Sequence, residues 1–138
     1  MPFTFIPLNA RLYLIRWEGN PTAAESEEFL RAFKHMLDTA PQPVATISDL
    51  RKGCITDVQI IRRLSQLCQS KKFLCGSSFS DIKGQVFAGI FERFMLRQGG
   101  DDSAFSSAEE ALQYLESLHP TIAEGVDLNI LKNTVAAE

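Results

Sequence analysis

Histidine is scarce in this sequence, with two residues in 138, His35 and His119. His35 falls inside a helical stretch and His119 at a helix end, where a cation complements the dipole. A thiol nucleophile needs a base, and no motif ties either histidine to Cys54, which sits in a loop near a helix start. Cysteine is sparse too. Cys54, Cys68 and Cys75 are odd in number and lack C-x-x-C spacing, so they read as reduced thiols in a cytoplasm and not as a disulfide frame or a zinc site. Walker, G-x-G-x-x-G, G-x-S-x-G and H-E-x-x-H motifs are all missing. The sequence therefore assigns no catalytic residue, no metal and no cofactor.

A basic excess is missing as well. The net charge is −3 and the pI about 5.4, which argues against a nucleic-acid partner, because phosphate binding needs a positive field. Arg62, Arg63, Lys71 and Lys72 read as a solvated helix end. No stretch approaches the roughly 18 consecutive apolar residues of a membrane span. The opening "MPFTFIPLNA" has no positive segment followed by a long apolar run, so it does not read as a signal peptide.

What the chain does have is a core. Hydrophobic residues make up 45%, ten of them Phe, and the length suits one domain. "FTFIPL" (3–8) and "RLYLIRW" (11–17) predict a hairpin around Asn9-Ala10, with Pro7 placing the first strand at an edge or a bulge. In the second strand Leu12 and Leu14 point one way, and Tyr13, Ile15 and Trp17 the other. Thr22 and Glu25 predict a capping box for a first helix with the stripe Phe29, Leu30, Phe33, Met36, Leu37. "VATISDL" predicts a buried parallel strand. A second helix is expected from a Thr56 cap, with Ile60, Ile61, Leu64, Leu67 and Cys68 inward. "KFLCGSSF" predicts the next strand, and Asp81 caps a third helix whose apolar face is wide enough for contact on two sides. Gly99-Gly100 reads as a turn and "SAFSS" as a short strand. Ser107 and Glu110 start a last helix that Pro120 ends.

The order β-β-α-β-α-β-α-β-α implies an α/β fold: a mixed, mostly parallel sheet from an N-terminal hairpin followed by right-handed β-α units. The expected organisation is one domain over 1–120 and an apolar tail or arm over 121–138, carrying Val126, Leu128, Ile130, Leu131 and Val135. If the first, second and fourth helices cover one face, the second strand keeps an apolar set that needs other cover. The tail or a second copy of the chain can supply it, so a homodimer is expected, with Tyr13, Ile15, Trp17, Leu128 and Leu131 at or near its interface.

The runs "LIRWEGNPTAAESEEFLRAF", "PVATISDLRKG" and "FSSAEEALQYL" resemble the STAS-type domain of bacterial anti-sigma-factor antagonists, and more closely a branch of small, uncharacterised bacterial SpoIIAA-like proteins. The resemblance spans roughly residues 3–118. It implies a mixed sheet wound with helices, no cofactor, and a role in binding other proteins. In the antagonists a Ser at the start of the helix after the central strand is phosphorylated, within an Asp-Ser-Ser/Thr-Gly context. Here that place reads "SDLRKGCITDVQ", without the motif, and Thr56 lies nearest.

Two functions from different classes follow. The first is a non-catalytic regulatory or protein-interaction module. The second is a small-ligand binder or enzyme at the carboxyl edge of the sheet near Asp49 and Asp81, where α/β folds commonly bind ligands. Each of these residues has a simpler task available: Asp81 as an N-cap, Asp49 as a turn former, Thr56 as a cap with Gln59. A phosphate on Thr56 would place about −2 charge at a helix N-terminus. A roomy pocket with perturbed ionisable groups would separate the two readings.

Overall fold

The structure, a computed structural model, describes residues 1–132. Five strands form one sheet in the order β1-β2-β3-β4-β5: β1 (Phe3–Asn9), β2 (Leu12–Trp17), β3 (Val44–Asp49), β4 (Phe73–Phe79) and β5 (Asp102–Phe105). The β1–β2 pair is antiparallel and every later pair is parallel. β1 lies at the edge, with a register shift between Pro7 and Asn9; a residue without a backbone donor belongs in such a place. Between the strands run α1 (Ala23–Thr39), α2 (Val58–Leu67) and α3 (Ile82–Arg97), followed by α4 (Ala108–Leu118) and a short α5 (Leu128–Lys132).

Local chemistry sets the helix starts. The Thr22 hydroxyl accepts from Glu25 N, and the Glu25 carboxylate accepts from Thr22 N, closing the capping box of α1. Asp81 accepts from Gly84 N at α3, and Ser107 from Glu110 N at α4. At α2 the expected Thr56 cap is corrected to Asp57, whose carboxylate accepts from Gln59 N at 2.9 Å. Both residue types can cap. Ile60 and Ile61 must face the core, and that phase starts the helix one residue later, leaving Thr56 exposed.

Two cores lie on the two faces of the sheet. On one, α1, α2 and α3 cover Ile15 and Trp17, with Phe29 packed 4.7 Å from Trp17 between ring centroids. On the other, α4 and residues 122–131 cover Leu12, Leu14, Ala45, Ile47, Cys75 and Phe79. The one-sided grouping of α1, α2 and α4 is therefore corrected. α4 crosses to the second face because no strand follows it, so the crossover rule does not constrain it, and an uncovered apolar face needs it.

The same packing accounts for both sets of β2. Ile15 and Trp17 are 2% and 3% exposed beneath the helices of their own chain, so they need no second copy for cover. Ile122 and Leu131 are fully buried in the second core, which makes residues 121–132 part of the fold. Val135, counted with the apolar tail, lies outside the described residues. No helix is long and apolar enough to cross a membrane among the described residues.

Candidate functional site

Asp49, at the end of β3, is 4% exposed and held by cations. Arg51 donates to it through Nε at 2.9 Å and Nη2 at 2.8 Å, and Arg16 through Nε at 3.3 Å. The two guanidinium groups also reach the end of α5. Arg16 Nη2 donates to Ile130 O at 2.6 Å, and Arg51 to the carbonyls of Leu131 and Lys132. These carbonyls belong to α5, which packs into the second core through Leu131. Asp49 thus orients two arginines that clamp the C-terminal helix onto the sheet.

The space beside Asp49 is about 20 Å³ and is lined by Arg16, Trp17, Glu18, Asp49, Arg51 and Lys52. Such a volume suits one water and little more. Asp81 and Thr56 do not line it. The three carboxyl-edge residues therefore sit in separate surroundings: Asp49 in the clamp, Asp81 capping α3, and Thr56 exposed in the loop before α2.

A second space, larger than the one beside Asp49, lies inside the first core, between the sheet and α1, α2 and α3. About 80 Å³ is open there to the centre of a water molecule, several times the roughly 10–15 Å³ that one water requires. Trp17, Phe29, Phe33, Ile61, Phe87 and Phe91 are among its apolar walls.

Its floor is polar, and the strand register explains why. Thr46 lies opposite Gly76, and Gly76 opposite Asp102, forming one cross-strand row. Ser48 and Ser78 are paired in a second row on the same face. Gly76 lets its neighbours close over the first row: a Cβ there would lie 2.8 Å from Asp102 Oδ2 and 3.2 Å from both Thr46 Oγ1 and Phe73 Cζ. Thr46, Ser48, Ser78 and Asp102 all line the cavity.

Asp102 is 7% exposed, and its carboxyl belongs to none of the ion pairs among the described residues. No buried side-chain polar atom among them is sealed off without a partner, so this carboxyl opens on the cavity. Burial, with Glu92 adding to it, pushes the Asp102 carboxyl well above the usual carboxylate range. Desolvation of the charged form is the main physical cause. Burial likewise pushes up the Cys68 and Cys54 thiols, which line the same space. Raised thiols without a base are poor nucleophiles, and no His, Lys or Arg lines the cavity.

The loop carrying Cys54 is fixed from outside: Cys54 N donates to Asn20 Oδ1 at 3.0 Å, and Gly53 packs against the Gly19 backbone so closely that a Cβ has no room. Sequence reasoning missed Asp102, which reads as one of two turn aspartates after Gly99-Gly100. The available signal was the polar content of "VATISD" and "CGSS", since Thr46, Ser48 and Ser78 interrupt strands otherwise suited to a core.

These elements define an α/β protein with a mixed five-stranded sheet, helices on both faces and a polar-floored cavity under three of them. Among solved structures, the chain is similar to an uncharacterised protein of the DUF3478 family with a SpoIIAA-like fold from Shewanella loihica PV-4, at 13% identity and a TM-score of 0.57, covering 82% of this chain and 91% of that one. The fold of this chain is SpoIIAA-like, as its sequence resemblance implied. No family model matches the sequence, and no curated protein matches it.

Proposed function

We propose that this protein is a non-catalytic regulatory module of the bacterial cytoplasm that holds a small ligand with an apolar body in the cavity beneath α3 and presents α3 to a protein partner. The observation carrying the proposal is the cavity itself: aromatic walls, a floor of unengaged polar groups, and a lid formed by Phe87, Ala88 and Phe91 of α3. Concave, mostly apolar sites with a few placed polar groups are the usual form of small-molecule sites. The lack of a base beside either raised thiol supports binding over catalysis. Three free, buried cysteines support a reducing compartment.

The partner surface rests on a separate observation. Ile82 and Val86 on α3 are 81% and 58% exposed, so an apolar strip remains bare on this helix beyond the side that packs on the sheet and on α2. A homodimer would use this face, since Ile15, Trp17 and Leu131 are covered already.

The test titrates 2-phenylethanol, phenethylamine and phenylacetate into the protein and follows the fluorescence of Trp17, the single tryptophan, which lines the cavity. At least one probe shifts the emission saturably, and Ala88→Leu, which fills the cavity from α3, removes the response while the fold is retained. Silence from all three probes, or binding unchanged by Ala88→Leu, overturns the ligand reading. For the partner face, Ile82→Glu with Val86→Glu keeps the melting temperature and loses self-association measured by light scattering. Two dimers remove the α3 face as the contact, and two monomers remove the homodimer.

A further inference from the structure

The cavity has acids near it and no bases. The groups that feel the charge of Asp102 are Glu92 on α3, Cys68 at the end of α2, Cys75 on β4 and Tyr114 on α4. Every one is neutral or negative, and the cavity wall itself holds no Lys, Arg or His. A carboxyl buried on a sheet face without a counter-ion is costly for a fold that needs only packing there. Gly76 adds a second device: the Asp102 carboxyl, the Thr46 hydroxyl and the Phe73 ring converge over it where a Cβ has no room, so glycine brings that carboxyl and hydroxyl over one strand position. The rest of the wall is largely aromatic, Trp17, Phe29 and Phe91 among it, an apolar surface suited to the body of a ligand.

From this juxtaposition of an unpaired buried carboxyl, hydroxyl neighbours and aromatic walls in one cavity, we infer that the ligand is a small primary amine with an apolar body, its ammonium bound between Asp102 and Thr46. The inference rests on the cavity being a ligand site and names the charge of what enters it. An ammonium supplies the counter-charge that the protein omits. Its three donors can reach the Asp102 carboxylate and the Thr46 and Ser78 hydroxyl oxygens, while its apolar body lies against the phenylalanines. Proton balance follows: where Asp102 is protonated in the empty cavity, an ammonium entering displaces that proton to solvent, and the ligand keeps its own. Amine affinity therefore rises with pH while the amine remains charged. An anion finds no cation in the cavity wall to offset its desolvation and is refused.

The probes are phenethylamine, its neutral isostere 2-phenylethanol and the anion phenylacetate, titrated by calorimetry against the native protein and Asp102→Asn. Phenethylamine binds the native protein at least about tenfold more tightly than 2-phenylethanol, a difference of about 1.4 kcal/mol, and phenylacetate does not bind. Asp102→Asn, which keeps the shape, removes the amine preference and leaves the alcohol affinity within about threefold. Raising the pH from 5 to 8 strengthens phenethylamine binding to the native protein and leaves 2-phenylethanol unchanged. Alcohol binding equal to amine binding, or an amine preference that survives Asp102→Asn, overturns the amine inference and leaves the cavity reading standing. Silence from all three probes overturns both. The comparison of three probes on the native protein stands by itself should Asp102→Asn fail to fold.

Discussion

Two aspartates at strand ends do opposite work, and their surroundings decide which. Asp49 meets two guanidinium groups, so its charge is stabilised and used to hold other residues in place. Removing it leaves Arg16 buried without a carboxylate, and breaking a buried pair of this kind costs about 3–5 kcal/mol. Asp49→Asn is therefore strongly destabilising in urea unfolding, and a loss below about 1 kcal/mol would show the clamp to be incidental. Asp102 meets no cation among the described residues. Its carboxyl holds a proton more tightly in the folded state than the roughly 3.9 of an unfolded aspartic acid. The stability linked to that proton is full below about pH 4 and is lost as pH climbs through the folded value. Asp102→Asn carries no such proton. Melting temperatures between pH 4 and pH 8 should fall more steeply for the native protein than for this variant, and at neutral pH the variant should be the more stable. Parallel curves would show that the group does not titrate differently on folding.

At the scale of elements, capping residues and lone cations finish what the helical stripes begin. Asp57→Ala removes the cap of α2 and lowers stability by about 1 kcal/mol. Thr56→Ala touches an exposed loop residue and stays within about 0.5 kcal/mol. The reverse ranking in denaturant titrations would return the cap to Thr56. α1 has no basic residue in its last turn, and Lys72, in the turn just before β4, supplies the charge by donating to the carbonyls of Leu37 and Ala40. The helix stripes were legible because their period is local: Phe29, Phe33 and Leu37 recur at helical spacing wherever the chain is placed. A helix end is less legible, since neighbouring Thr and Asp can both cap and only the phase of packing chooses between them.

For the whole molecule, the tail matters more than its place after the last long helix suggests. Ile122 and Leu131 are fully buried against the sheet, and α5 ends in the Arg16 and Arg51 clamp. Leu131→Ala should cost about 2–5 kcal/mol as a cavity in the second core. Truncation after Pro120 should lower the melting temperature further and expose Leu12, Leu14 and Ile47, read as increased binding of an apolar dye. An unchanged melting temperature would mean that the second core holds without the tail. α3 is the counterpart on the other face, a helix that roofs the cavity on one side and leaves Ile82 and Val86 bare on the other.

The sequence by itself determined the order of elements, the edge position of β1 and three of the four long-helix caps, because strand alternation, capping pairs and proline positions act over a few residues; the SpoIIAA-like fold was implied by the resemblance of its runs to that family. It also placed two apolar sets on β2, a direct consequence of side chains alternating along a strand. Which helix covers which set was decided only in three dimensions. Tyr13, Ile15 and Trp17 lie under α1, and Leu12 and Leu14 lie under α4 and the tail, because cover goes to whichever element the connections bring over each face. The cavity was decided there as well. Thr46, Gly76 and Asp102 are distant in sequence and become neighbours only when β3, β4 and β5 pair in register. Asp49 became a scaffold residue for the same reason, since the arginines and helix end that occupy it arrive from β2, the following loop and α5.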